Sequence, residues 1–144
     1  MDHLEEKLNT NLIAVQRVTE ASLPLLDQGR QKKVINISST MGSVAMKDIF
    51  AFAPTPSYKI GKAALNMLTV QQALTLGKDG YTCVAISPGW LRTEIGTDAA
   101  ELSVETGAAT VLRVIDGLTL EDSGSFRNIE VEGIESYQGG DIPW

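Results

Sequence analysis

The sequence predicts an α/β fold: three parallel strands with helices flanking the sheet. Three observations predict it. Segments of helical period alternate with short β-branched runs in the order helix, strand, helix, strand, helix, strand. The runs Val34-Ile35-Asn36-Ile37-Ser38 and Tyr81-Thr82-Cys83-Val84-Ala85-Ile86-Ser87 lack an in/out alternation, as strands covered on both faces do. The length of 144 residues, 43% of them hydrophobic, suffices for one core and not for two ordinary domains, so residues 1–144 are read as one unit.

The first helix is expected over residues 4–28. Leu4, Leu8, Leu12, Val15, Val18, Ser22, Leu25 and Leu26 step by three or four, Asp2 and Glu5 are placed as a capping box, and Gly29 is a stop. Pro24 falls late enough to loosen only the last turn. Asn11 lies within this helix, where a carboxamide ordinarily faces water.

The strand at 34–38 opens onto Ser39-Thr40-Met41-Gly42-Ser43, at the end where an open parallel sheet places its chemistry. Ser38 and Ser39 either cap a turn there or serve a site. Residues 44–56 are irregular, with Pro54 and Pro56 breaking helix, and with Phe50 and Phe52 either tucked onto the core or lining a pocket.

A helix over 57–77 follows, apolar nearly all round, which calls for cover on more than its sheet face. Tyr58 and Lys62 stand one turn apart on it, either as a solvated pair or as a functional one. The functional use is definite: lowering a phenol's pKa of about 10 by about three units takes roughly 4 kcal/mol of stabilisation by a neighbouring cation, and yields an acid/base group at neutral pH. The strand at 81–87 ends in Pro88-Gly89-Trp90-Leu91-Arg92-Thr93, where Gly89 permits close backbone approach. A helix from Ser103, a plausible cap, to Leu118 and a strand over 126–131 lead to a Gly-rich tail.

Composition narrows the function classes. A net charge of -6 without a Lys/Arg run gives no electrostatic footprint for nucleic acid or for an anionic membrane. The opening residues are too polar for a signal peptide and no apolar run is long enough to span a bilayer, so a cytoplasmic location is the expectation. One cysteine, Cys83, and one histidine, His3, leave no basis for a disulfide framework, a Cys/His metal site or a His-based triad. Cys83, in an apolar run, reads as a buried core thiol.

Taken together, Asn36-Ile37-Ser38-Ser39-x-x-Gly42, Tyr58-x-x-x-Lys62 and Pro88-Gly89-x-x-x-Thr93 resemble, in this order, the motifs of the short-chain dehydrogenase/reductases. Asn11-Leu12-Ile13-Ala14 looks like the family's asparagine on the preceding helix, and the Asp141-Ile142-Pro143-Trp144 end is most similar to the sniffer-type carbonyl reductases. The resemblance implies the C-terminal portion of a single Rossmann-like, NAD(P)-binding catalytic domain. It also implies interconversion of a carbonyl and an alcohol by hydride transfer from or to NAD(P), with NADP slightly favoured. By position, Ser39 would hold the carbonyl and Tyr58 would pass the proton. Lys62 would tune Tyr58 and hold the ribose, and Asn11 would anchor a water relay. Pro88, Gly89, Trp90, Leu91 and Thr93 would border the nicotinamide, and Ser38 would be the non-catalytic neighbour of Ser39. Helices 4–28 and 57–77 would form a homo-oligomer interface.

The sequence departs from the family in three ways. Gly61 stands where serine is common, and the Ser39 to Tyr58 separation is long for the family, which makes 44–56 an extra loop beside the pocket. The family's first strand and Gly-rich turn, its cofactor-selecting residue and its Asn-Asn-Ala-Gly strand have no counterpart in residues 1–144. The alternative reading is therefore a truncated, catalytically inactive chain acting only through its association helices.

Overall fold

The computed structural model describes residues 3–144. Three parallel strands, β1 (Lys33–Ile37), β2 (Thr82–Ser87) and β3 (Phe126–Asn128), form one sheet in the order β1-β2-β3. Val34 pairs with Cys83 and Ile37 with Ile86, and Ser87 pairs with Asn128. The expected three-stranded parallel sheet with flanking helices is therefore present.

β2 is central and every one of its residues is buried. Among the described residues β1 has a neighbour on one side only, and it is not buried on both faces as expected: Val34 and Asn36 are buried, whereas Ile37 at its end is 46% exposed. The expected strand over 126–131 shortens to three residues. Past Asn128 the chain leaves the parallel sheet and folds back on itself through antiparallel bridges, Arg127 with Asp141 and Glu130 with Gln138.

Helices lie on opposite faces of the sheet. On one face, α2 (Ala14–Leu26) and α3 (Pro56–Leu76) supply Leu23, Leu26, Ala73 and Leu76 against Val34, Tyr81 and Cys83. On the other, α4 (Val104–Gly117), capped by Ser103 accepting from the Thr106 amide, packs Val111, Val114 and Ile115 against Val84 and Ile86. The alternation of side chains along β2 sorts odd and even residues between the two faces. Cys83 is fully buried, as expected, and burial pushes its thiol up to about 11.

Two helix expectations need correction. The first helix is not one α-helix: α1 (Leu4–Leu8) and α2 are joined by a π-helical turn at Asn9–Ile13. The proposed Asp2 cap lies outside the described residues. The second is α3, whose buried stripe is largely polar: Ser57, Gly61, Lys62, Leu65, Asn66, Thr69 and Gln72. Three of its large apolar residues are exposed instead, Ile60 at 39%, Met67 at 59% and Leu74 at 70%. Helical period puts this mostly polar set toward the sheet, and the seven-residue row Ile60, Met67 and Leu74 on the outer side.

Candidate active site

The site sits at the C-terminal ends of β1 and β2, where two loops leave neighbouring strands. The loop after β1 carries Ser39. In extended conformation, Ser39 caps a short helical turn, its Oγ accepting from the Met41 amide at 3.2 Å. That bond uses the hydroxyl as acceptor, so its own hydrogen can still be donated. Two bonds tie the loop to β2: the Ser38 amide donates to the Ile86 carbonyl at 2.8 Å, and the Thr40 amide to Ser87 Oγ at 3.3 Å.

α3 brings Tyr58 and Lys62 to the same end. Pro56 occupies its first turn, where a missing N–H does no harm. Lys62 is 9% exposed, and its Nζ donates to the Ile37 carbonyl at 2.8 Å, tying the helix to the end of β1. Burial lowers the Lys62 pKa from its usual 10.5. The same ammonium stands 5.8 Å from the centre of the Tyr58 ring. Gly42 fits this arrangement closely, since a Cβ there would come within 2.7 Å of Lys62 Cβ and carbonyl carbon. A side chain at 42 would push the Ser39 loop off the helix.

Asn11 falls inside the π turn. Its Nδ2 donates to the Lys7 carbonyl at 3.1 Å, and its Cβ and Nδ2 would both be 3.7 Å from a Cβ built on Gly61. The asparagine is thus half-buried against α3 just before Lys62 rather than turned to water. A side chain at 61 would meet only ordinary van der Waals contact, so the departure to Gly61 leaves the packing intact.

In the loop after β2, Gly89 has φ 83 and packs so tightly on Leu102, Ile129 and Tyr137 that a Cβ would approach the first two within 3 Å. Pro88 and Gly89 are half-exposed and Trp90 is exposed. Leu91 instead turns into the core beside α4, and Thr93 Oγ1 accepts from the Gly96 amide at 3.0 Å. Any contact of Leu91 with a cofactor is therefore left to its backbone.

Sequence reasoning missed a buried polar network beneath these residues. Asn36 Nδ2 donates to Thr69 Oγ1 and to Gln72 Oε1, each at 2.8 Å, and Gln72 Nε2 donates to Gln16 Oε1 at 3.1 Å. Ser38 Oγ donates to Asn66 Oδ1, so Ser38 is a buried anchor of α3. The available signal was the three-residue spacing of Asn66, Thr69 and Gln72 in an otherwise apolar helix. Phe52, at 82% exposure, does not tuck onto the core.

A family model described as enoyl-(acyl carrier protein) reductase matches residues 1–117. The short-chain dehydrogenase srdF of Neurospora crassa is 34% identical over an alignment taking in 96% of this chain and 55% of that protein. The chain belongs to the short-chain dehydrogenase/reductase family. The C-signal of Myxococcus xanthus is 38% identical, with 93% of this chain and 74% of that protein covered. Among solved structures, the NADPH-bound carbonyl reductase from chicken fatty liver superposes with a TM-score of 0.86 at 32% identity, and the carbonyl reductase Sniffer of D. melanogaster with 0.80 at 26%. The likeness to sniffer-type carbonyl reductases read from the tail is thus present in the fold. Both superpositions take in 100% of this chain and 58% of the other, so the chain spans little more than half the length of those short-chain dehydrogenases/reductases.

Proposed function

We propose that the chain supplies the carbonyl-binding and proton-transfer half of a NAD(P)-dependent oxidoreductase acting on a ketone, aldehyde or alcohol. The observation that carries this is the gathering of Ser39, Tyr58 and Lys62 at the ends of two adjacent parallel strands, with the Lys62 ammonium between the Ile37 carbonyl and the Tyr58 ring. The nicotinamide end of the cofactor fits these residues. Lys62 has donors beyond the one given to Ile37, enough for a ribose hydroxyl. The pyrophosphate end has no Gly-rich cradle within residues 1–144. The NADPH held by the chicken enzyme supports NADP over NAD.

When bound, the cofactor supplies or accepts the hydride. The chain's own residues do the rest. Ser39 and Tyr58 hold the substrate oxygen, and Tyr58 gives its proton to that oxygen as negative charge develops on it. Lys62 favours the phenolate left behind, and Asn11, beside Gly61, anchors the water relay through which a proton returns from solvent.

The test joins this chain to the Gly-rich half of the 32%-identical chicken enzyme and follows loss of reduced-nicotinamide absorbance with a diketone. Tyr58→Phe keeps the ring and removes the proton, so turnover should fall at least about a hundredfold. Retention of most activity by Tyr58→Phe would sink the assignment.

A second reading, association through the helices, is favoured by the exposed apolar residues. Val18 and Leu25 on α2, and Ile60, Met67 and Leu74 on α3, recur every seven residues and are 39–72% exposed. We assign this face to a homodimer. Sedimentation should show a dimer at micromolar concentration that Val18→Glu with Leu74→Glu disperses, and a compact wild-type monomer is the contrary result.

A further inference from the structure

The segment after β3, which read as a plain Gly-rich tail, touches both loops of the site. Residues 126–131 and 137–142 form an antiparallel ribbon: the Asn128 amide donates to the Gly140 carbonyl at 2.9 Å, Gly139 to Ile129 at 2.9 Å, and Ile142 to Phe126 at 2.7 Å. One end of the ribbon holds the loop after β2. Tyr137 is 7% exposed, and its hydroxyl accepts from the Trp90 amide at 3.0 Å. Its ring edge also lies against Gly89.

The other end holds the loop after β1. The Pro143 carbonyl accepts from Ser43 Oγ at 2.6 Å, and Ser43 Oγ in turn accepts from the Met46 amide. The Trp144 carbonyl accepts from the Ala45 amide at 2.9 Å, and the Trp144 ring stacks on Phe126 with centroids 5.4 Å apart. Ile142 fills the space beneath, among Ala85, Phe126 and Met46. One ribbon, rooted in β3, therefore grips two loops that are otherwise linked through their parent strands and the bonds from Ser38 to Ile86 and from Thr40 to Ser87.

We propose that this ribbon is a two-ended clamp that sets the spacing between the Ser39 loop and the turn at 88–93, with Tyr137 and Trp144 as positioning residues. The catalytic meaning of that spacing rests on the oxidoreductase reading above, while the clamp itself is testable without it.

Amide exchange by NMR on the chain alone provides the test. Tyr137→Phe keeps the ring and deletes the acceptor, so exchange at the Trp90 amide should rise about fivefold or more, with β2 amides unchanged. Trp144→Ala should do the same at Ala45 and Met46, and Trp144→Phe, which keeps a stacking ring, should restore protection. Ser43→Ala removes the bond to Pro143 without touching the ring, and should also loosen Met46 should the Trp144 variant fold poorly. No change at Trp90 in Tyr137→Phe, or a rise spread evenly over β2 and α4, would overturn the clamp. In the joined enzyme, Tyr137→Phe should lower kcat several-fold more than it alters KM for the diketone. Turnover of Tyr58→Phe equal to that of the wild type would indict the oxidoreductase reading and leave the exchange result standing.

Discussion

The two faces of the sheet are held by different forces. On the α4 face, Val84, Ile86, Leu102, Leu118 and Ile129 pack as an apolar cluster, so burial dominates the contact. On the α3 face, an apolar patch of Val34, Tyr81 and Cys83 under Ala73 and Leu76 is joined by Asn36, Ser38, Asn66, Thr69 and Gln72, which meet through hydrogen bonds among buried side chains. Apolar contact is non-directional and lets a helix turn about its axis by small amounts. Directed bonds from Asn36 and Ser38 do not, and they fix the rotation of the helix that carries Tyr58 and Lys62. The face that places the chemistry is thus the polar one.

Truncation should break this contrast most clearly on the apolar side. Ile86 is fully buried, so Ile86→Ala should cost about 2–5 kcal/mol in urea unfolding. On the polar side, Asn36→Ala leaves Thr69 Oγ1 and Gln72 Oε1 without their donor and should cost about 1–3 kcal/mol. The combination Asn36→Val, Thr69→Val and Gln72→Leu should cost less than the sum of the three single changes, because the demand for partners disappears with the groups. Strict additivity would show that the network does not act as a unit. Ser38→Ala should lose about 1 kcal/mol rather than nothing, for it strands Asn66 Oδ1.

The smallest effect is with pH. Burial pushes the Cys83 thiol from 9.0 up to about 11, and burial together with the Asp27 hydrogen bond pushes Tyr81 up to about 12. Both sit on the α3 face. The unfolded chain sheds these protons first, so stability is full below about pH 9 and declines as pH rises through the raised values. Urea midpoints near neutrality and at about pH 10 should differ, and Cys83→Ala should narrow the difference. A wild-type midpoint that stays level would count against these burial effects.

Local patterns were legible in the sequence and distant ones were not. Tyr58 and Lys62 meet because four residues span one helical turn, and Gly89 was legible because only a glycine tolerates its turn. The π turn escaped notice because a single widened turn barely disturbs a three-or-four spacing. The polar stripe of α3 was hidden by its apolar neighbours, since Asn, Thr and Gln read as solvated until Asn36 arrives from another strand. Tyr137 meets its partner across 47 residues of chain, beyond the reach of any local pattern.

The placement of α3 and α4 has a consequence for chirality. Both crossovers, β1 to β2 and β2 to β3, step to a parallel neighbour in the same direction, yet their helices lie on opposite faces of the sheet. Two such steps cannot share a hand, so one of them has the left-handed form that about 2% of such connections adopt. Between β2 and α4 the chain must therefore change sides of the sheet, and it does so across residues 88–103. The turn that borders the site is part of the path by which the fold reverses its hand.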